Sequence, residues 1–214
     1  MQFNKILSKS YFWTIFFLIS FFSNNLVYSE EINLKLIENY LNSISSIDSE
    51  IIQFDQNGNK VLGSIKLKKP GKLRIEYFDK KTDHLIVGSG GLIAIIDYNS
   101  NAEPQRYPTN GTPLKFLSEK NINLDDNEIK SYLKIYENYV SLEISEKNPK
   151  MGLGKIILKF QKDPIKIKGW EIPLNKGQST EIVLKKTNIN KKLEDSLFWI
   201  SAEVMKFKTL KNLK

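Results

Sequence analysis

The strongest constraint on the fold of this chain is an alternation of apolar and polar residues that recurs along most of its length. Leu73, Ile75 and Tyr77 lie on one side of an extended segment, and Arg74 and Glu76 lie on the other. Alternation with a period of two is typical of a β-strand that buries one face. Asn-Gly, Pro-Gly and Gly-Gly turn signals separate such segments, which favours antiparallel strands with short connections. Strands are predicted at residues 49–54, 61–68, 73–77, 85–87, 92–98, 129–136, 139–145, 155–160, 165–172 and 180–186.

Two segments have helical periodicity instead. In residues 30–47 apolar side chains recur at spacings of three and four, which predicts an amphipathic helix. Thr112 and Pro113 suit an N-cap and a first helical position, so a short helix is predicted to run through Leu117. These helices cannot lie flat over so many half-buried strands. We therefore expect a β-dominated α+β fold, in which a single curved antiparallel sheet, an incomplete barrel, is closed by the N-terminal helix and short lid helices around a cavity.

The two ends of the chain differ in character from its middle. Two lysines precede an apolar stretch at residues 11–22, which gives way to polar residues before it reaches the length of about 20 that spans a membrane. We expect residues 1–29 to be a cleaved secretory signal peptide and residues 30–214 to form a single domain. Residues 206–214 are rich in lysine, which predicts a basic, frayed C-terminal tail.

The sequence offers little equipment for catalysis or metal binding. It has no cysteine and a single histidine, His84, so neither a thiolate nucleophile nor a transition-metal site is expected. The absence of cysteine also rules out disulfides and an acylated cysteine anchor. The net charge is +8, but lysine is over-used throughout rather than in one patch, so no nucleic-acid partner is expected. We predict no catalytic residue, no metal and no cofactor.

Several motifs, in their order and spacing, resemble the outer-membrane lipoprotein carrier family (LolA). The resemblance extends from about residue 41 to residue 200 and so covers most of the chain. Its motifs are residues 41–47 leading into 51–53, residues 63–77, residues 111–117, and residues 170–184 with 196–198.

The resemblance implies a function, a location and partners. Members of this family are soluble periplasmic chaperones of Gram-negative cells, with an incomplete β-barrel lidded by helices. The chain is then expected to be a monomer that binds the acyl chains of triacylated lipoproteins in a hydrophobic cavity and carries them from the inner to the outer membrane. An inner-membrane ABC-type lipoprotein releasing complex would load it, and an outer-membrane lipoprotein acceptor would unload it.

The resemblance also assigns the site. The residues it places against lipid are Leu41, Ile44 and Ile47 from the first helix, Leu114 and Leu117 from the short helix, and Leu73 and Ile75 from the barrel wall. Lys69 stands before Pro70, where the family has an arginine that is thought to hydrogen-bond carbonyls of the lid. Lysine lacks the planar guanidinium of arginine. We therefore expect the hydrogen bond that holds the lid, which we call the latch, to be weaker or differently placed in this chain. Leu73 and Ile75 replace larger aromatic residues of the family's wall.

Two alternatives stay open on the sequence. An apolar residue that faces inward has the same pattern whether it lines a cavity or fills a core, so a periplasmic interaction or scaffold module with a filled core is the first alternative. The second is a hydrolase of an envelope polymer, because acidic residues are abundant enough to supply a pair of catalytic carboxylates. An apolar void between helix and sheet would favour a carrier.

Overall fold

A computed structural model describes residues 31–78, 84–109, 112–113, 115–148, 154–174 and 177–212. The predicted signal peptide at residues 1–29 lies outside the described residues. Within them, eleven strands form one antiparallel sheet in the order β6-β5-β4-β3-β2-β1-β11-β10-β9-β8-β7. The strands are β1 (Ser46–Phe54), β2 (Lys60–Lys68), β3 (Lys72–Tyr77), β4 (His84–Ser89), β5 (Leu92–Asp97), β6 (Gln105–Pro108), β7 (Ile129–Ile135), β8 (Tyr139–Glu146), β9 (Lys155–Gln161), β10 (Lys166–Pro173) and β11 (Ser179–Ile189).

In the described ranges three α-helices accompany the sheet: α1 (Leu34–Ser43), α2 (Lys115–Ser118) and α3 (Ile200–Asn212), the last preceded by a 3-10 turn at Asp195–Phe198. Strands β6 and β7 are the two ends of the sheet and pair only on one side in the part of the chain that the structure describes. The sheet is thus open rather than closed. This confirms the predicted class, a β-dominated α+β fold with one antiparallel sheet.

The face of the sheet that we call the inner face carries the main core. Cross-strand pairs on this face are apolar: Ile65 lies opposite Ile75, and Leu67 lies opposite Leu73. The residues packed on it from the helices include Ile37 and Leu41 of α1 and Phe116 and Leu117 of α2, and the whole forms a single buried cluster. Helices α1 and α2 therefore cover the inner face, as the periodicity of their sequences predicts.

The opposite side, which we call the outer face, is buried by α3 over β4 and β5. Leu85 and Val87 pair across the strands with Ile96 and Ala94, and all four are buried in a second cluster with Phe207 of α3. Helix α3 is thus held by the outer face, while α1 and α2 are held by the inner face. Strand β5 lies next to β6 at one end of the sheet and not at its centre, and its outer side is apolar because α3 packs there.

Three sequence predictions need correction, and one strand was not predicted. The short helix begins at Lys115, so Thr112 and Pro113 precede it and are not its N-cap and first residue. Helix α1 ends at Ser43 and the strand after it begins at Ser46, so Ile47 belongs to β1 and not to the helix. The serines that follow compete for backbone hydrogen bonds and favour helix ends. Residues 206–212 are helical rather than frayed. Strand β6 was not predicted, because all four of its residues are exposed and carry no alternation.

Candidate lipid-binding site

The structure brings together the lipid-binding residues that the sequence predicts. Those within the described residues have between 1% and 5% of their surface exposed and belong to the main core cluster: Leu41, Ile44, Ile47, Leu73, Ile75 and Leu117. The side chain of Leu114 lies outside the described residues. Ile47 joins the cluster from β1, on the sheet side, rather than from the helix. The helical and the sheet residues face each other across one apolar layer.

Helix α1 is tied to the segment that follows α2 by hydrogen bonds of two side chains. Asn42 makes a reciprocal pair with the backbone of Ile122, donating to its carbonyl at 2.9 Å and accepting from its N–H at 2.8 Å. The Glu38 carboxylate accepts from the N–H of Leu124 at 2.9 Å. The pKa of Glu38 is lowered, first by the hydrogen bond from Lys35 and then by the bond from Leu124. We refer to α1, α2 and residues 122–124 together as the lid.

The lid is joined to the sheet by a small number of polar contacts. Lys69 Nζ donates to the Leu41 carbonyl in the last turn of α1 at 2.8 Å. The Tyr40 hydroxyl accepts from the N–H of Ile167 on β10 at 2.9 Å, and the N–H of Gly71 donates to the Ser118 carbonyl at 2.8 Å. These polar contacts between the lid and the sheet lie near the ends of strands, whereas the apolar cluster extends to residues in the middle of strands, such as Ile65 and Leu158.

Lys69 occupies a half-buried position in this junction. Burial lowers the pKa of its ammonium, and the charge of Glu119 opposes that shift. The Leu41 carbonyl that it contacts also accepts the N–H of Ile44, at 3.3 Å. Loss of the lysine would consequently leave this carbonyl with one hydrogen bond rather than with none.

The space between lid and sheet is almost filled. The cavity bounded by Leu67, Leu73, Gly88, Ile93 and Ser118 has a volume of about 10 Å³, which is near the minimum for one water molecule. A larger cavity of about 550 Å³ opens beside α1, where Tyr40, Ile165 and Ile167 form an apolar floor and Lys166 and Lys185 are among the residues of the rim. The lid and the sheet are thus in a closed arrangement with an apolar recess at one edge.

The outer face has a second groove, with a volume of about 460 Å³. Its lining combines apolar residues, among them Tyr139 and Val183, with the charged side chains of Lys159 and Glu181. Lys159 Nζ lies 2.7 Å from a Glu181 oxygen and 3.1 Å from a Glu171 oxygen. An acyl chain in this groove would have to desolvate these charges, which disfavours the groove as a lipid site.

Sequence reasoning missed several residues of the site. Tyr40, Glu38 and Asn42 lie on the predicted helix, but their contacts are with the segment after α2 and with β10, at sequence distances that periodicity does not reveal. In the sequence Trp170 is only the first residue of a family motif. In the structure it is fully buried on the inner face, and among the described residues its indole nitrogen has no hydrogen-bond partner.

His84, the single histidine of the sequence, is not among the residues that the resemblance places against lipid. It is the first residue of β4, and its Nε2 atom is 3.5 Å from a carboxylate oxygen of Asp97 on the neighbouring strand. Both side chains are partly exposed. Cross-strand packing of a surface pair accounts for this geometry without a catalytic role.

Comparison with known proteins identifies the family. A family model described as outer membrane lipoprotein carrier protein LolA matches residues 42–201. An uncharacterized protein of Rickettsia prowazekii (strain Madrid E) is 27% identical over 97 residues, and the match spans 45% of this chain and 45% of that protein. Among solved structures, a LolA superfamily protein of Nitrosomonas europaea has a TM-score of 0.45 at 9% identity, covering 80% of this chain and 100% of that one. A DUF1329 family protein of Desulfovibrio piger has a TM-score of 0.47 at 15% identity, covering 79% and 95%.

No helix in the described part of the chain is long and apolar enough to cross a membrane. The family match spans most of the chain, from the last two residues of α1 through the eleven strands and α2, and it indicates a role in binding lipoproteins. The chain belongs to the outer membrane lipoprotein carrier protein family, LolA.

Proposed function

We propose that this protein is a periplasmic carrier that binds the acyl chains of lipoproteins between its lid and the inner face of its sheet. The observation that carries the proposal is that lid and sheet meet in one apolar cluster while few polar contacts, such as the one from Lys69 to the Leu41 carbonyl, join them. A lid held in this way can separate from the sheet and expose two matching apolar surfaces.

The free energies involved explain why a carrier is required and how it could release its cargo. Each buried CH₂ group of an acyl chain contributes about 0.8 kcal/mol, so a long chain costs on the order of 10 kcal/mol to expose to water. When the carrier is empty, the lid residues bury the same inner face that cargo would bury. Closure of the lid therefore competes with binding of cargo. The net affinity for cargo is the difference between the free energy of burying the acyl chain and the free energy of closing the lid.

The partners follow from family membership. In this proposal an inner-membrane ABC-type lipoprotein releasing complex loads the carrier, and an outer-membrane lipoprotein acceptor receives the cargo without a further energy source. Cleavage of residues 1–29 delivers the chain to the periplasm. Recognition of the acyl chains rests mainly on shape and apolar surface.

A photoreactive fatty acid tests the location of the site. The probe carries a diazirine on its acyl chain, and the labelled peptides are mapped by mass spectrometry with and without a competing triacylated lipopeptide. We expect competable labelling of peptides that contain Leu41, Leu73 and Leu117. Labelling confined to the groove near Tyr139 and Lys159 would refute the proposed site.

The same experiment separates the alternative functions. Absence of any competable labelling would favour a scaffold module whose core is simply filled. Release of free fatty acid from an ester form of the probe would favour a hydrolase. The protein is recovered from the periplasmic fraction of cells that express the full-length chain, so the expected secretion is examined at the same time.

A further inference from the structure

The main core contains a hydrogen-bond donor for which the described residues supply no acceptor. Trp170 has 0% of its surface exposed and lies on the inner face of β10, opposite Leu158 of β9 and Ile182 of β11. Its Nε1 atom is buried and has no hydrogen-bond partner in the part of the chain that the structure describes. Buried donors of this kind are rare in folded proteins, because a group that leaves water without a new partner costs free energy.

A β-bulge places the tryptophan on this face. The pairing of β10 with β9 shifts register between Ile167 and Gly169, so Ile167 and Trp170 are both buried in the main core although they are three positions apart. Strict alternation would direct them to opposite faces. Gly169 has a φ of 150°, and a Cβ atom there would collide with the carbonyl oxygen of Ile182. The local backbone is thus specialised in a way that turns the indole inward.

The chemistry of an indole limits what its partner can be. The Nε1 group only donates a hydrogen bond and never accepts one, so its partner must be an acceptor that enters the apolar layer. A hydrocarbon chain offers no acceptor. The ester that joins an acyl chain to glycerol offers a carbonyl oxygen at the head of the chain, which is uncharged and cheaper to bury than a carboxylate.

We infer that Trp170 donates a hydrogen bond to the ester carbonyl of a bound acyl chain, so that the site selects acyl esters over equally long hydrocarbon chains. This inference rests on the proposed function, because it places the ester between the lid and the inner face. In the closed arrangement the described residues leave the donor without an acceptor, and the cargo would supply that acceptor. Trp170 is then a specificity residue in a site that otherwise recognises only apolar surface.

The test replaces the donor without changing the ring shape. β-(3-Benzothienyl)alanine at position 170 has sulfur in place of the indole N–H and keeps the bicyclic outline. The same replacement at Trp199, whose surface is 58% exposed, is the matched control. Trp170→Phe provides a second donor-free variant made from standard amino acids. Circular dichroism establishes that each protein is folded.

Two ligands differ only at the inferred contact: a lipopeptide with two ester-linked chains and its analogue with two ether-linked chains of the same length. We expect the wild-type protein and the Trp199 variant to bind the ester about tenfold more tightly than the ether, because one hydrogen bond to a buried donor is gained. Both Trp170 variants should bind the two ligands equally.

The outcomes separate the inference from the proposed function. Equal binding of ester and ether by the wild-type protein, or an ester preference that survives in both Trp170 variants, would overturn the role of Trp170 and leave the carrier function intact. Failure of the wild-type protein to bind either ligand would instead remove the proposed function, and the inference with it.

Discussion

Replacing Lys69 with leucine removes the ammonium that joins the sheet to the last turn of α1. A hydrogen bond from a charged donor is worth about 1.5–3 kcal/mol, but Lys69 is half-buried and its lowered pKa shows that burial disfavours its charge. The Leu41 carbonyl keeps its bond from Ile44, so no acceptor is left unpaired. The net loss to the closed state is therefore expected to be about 1 kcal/mol.

A loss of this size changes cargo handling more than it changes folding. A destabilisation of about 1 kcal/mol shifts an equilibrium by a factor of about 5. Because lid closure competes with cargo in the proposed function, Lys69→Leu should bind a fluorescent acyl probe about fivefold more tightly and release it to acceptor membranes correspondingly more slowly. Lys69→Arg keeps a charged hydrogen-bond donor and replaces the ammonium with a planar guanidinium. This variant should release cargo at least as fast as the wild-type protein.

The assay compares probe affinity and release rate in the three proteins. Lys72→Leu is the matched control, since Lys72 is a nearby lysine that pairs with Asp195 and not with the lid. Unfolding by urea checks that all variants are folded. If Lys69→Leu is folded but binds and releases the probe as the wild-type protein does, Lys69 is only a strand-end lysine and the latch is refuted.

Three further predictions concern the scaffold. Phe207→Ala should lower the free energy of unfolding by about 3–5 kcal/mol in a urea titration, because the ring is buried between α3 and the outer face; a loss below about 1 kcal/mol would show that α3 is only loosely held. The pKa of Asp195 is lowered from 3.8 to about 2 by Lys68 and Lys72, so its contribution to stability is present above pH 4 and is lost as the pH falls from about 4 to 2. The slope of stability against pH in this window should diminish when both lysines are changed to glutamine, and an unchanged slope would contradict the pairing. Gly169→Ala should cost more than about 1 kcal/mol of unfolding free energy, because its φ of 150° and the carbonyl of the paired strand leave no room for a methyl group; a melting curve like that of the wild-type protein would contradict the bulge geometry.

The strands were predictable because alternation is a local property of the sequence. Ile65 and Leu67 had to share a face whatever lay above them, and the structure pairs them with Ile75 and Leu73. The residue at which a helix ends and a strand begins depends more on contacts with distant segments. Ile47 continues the helical spacing of the residues before it, but its pairing with Ile189 on β11 places it in β1.

The features that could not be predicted from the sequence depend on contacts between segments that are far apart in the chain. Helix α3 meets the outer face through Ile200, Val204 and Phe207, but its last turns are rich in lysine and its Met205 is exposed, so the sequence resembled a solvated tail. The unpartnered indole of Trp170 depends on a bulge that shifts one strand against its neighbour. The predicted lipid-binding residues were brought together, but no local pattern distinguishes a closed cavity from a permanent core.

Different helices bury the two faces of the sheet. The helix contacts on one face can therefore be lost while those on the other face remain. Strands β4 and β5 are braced from outside by α3, through contacts that include Phe207 and that do not involve the lid. Separation of the lid from the inner face would strip α1 and α2 from the sheet but leave this brace in place. Opening is then a partial event, with a free energy set by the lid junction rather than by global unfolding. In the proposed opening, helix α3 would hold β4 and β5 in place from the outer face while the inner face of the sheet is uncovered.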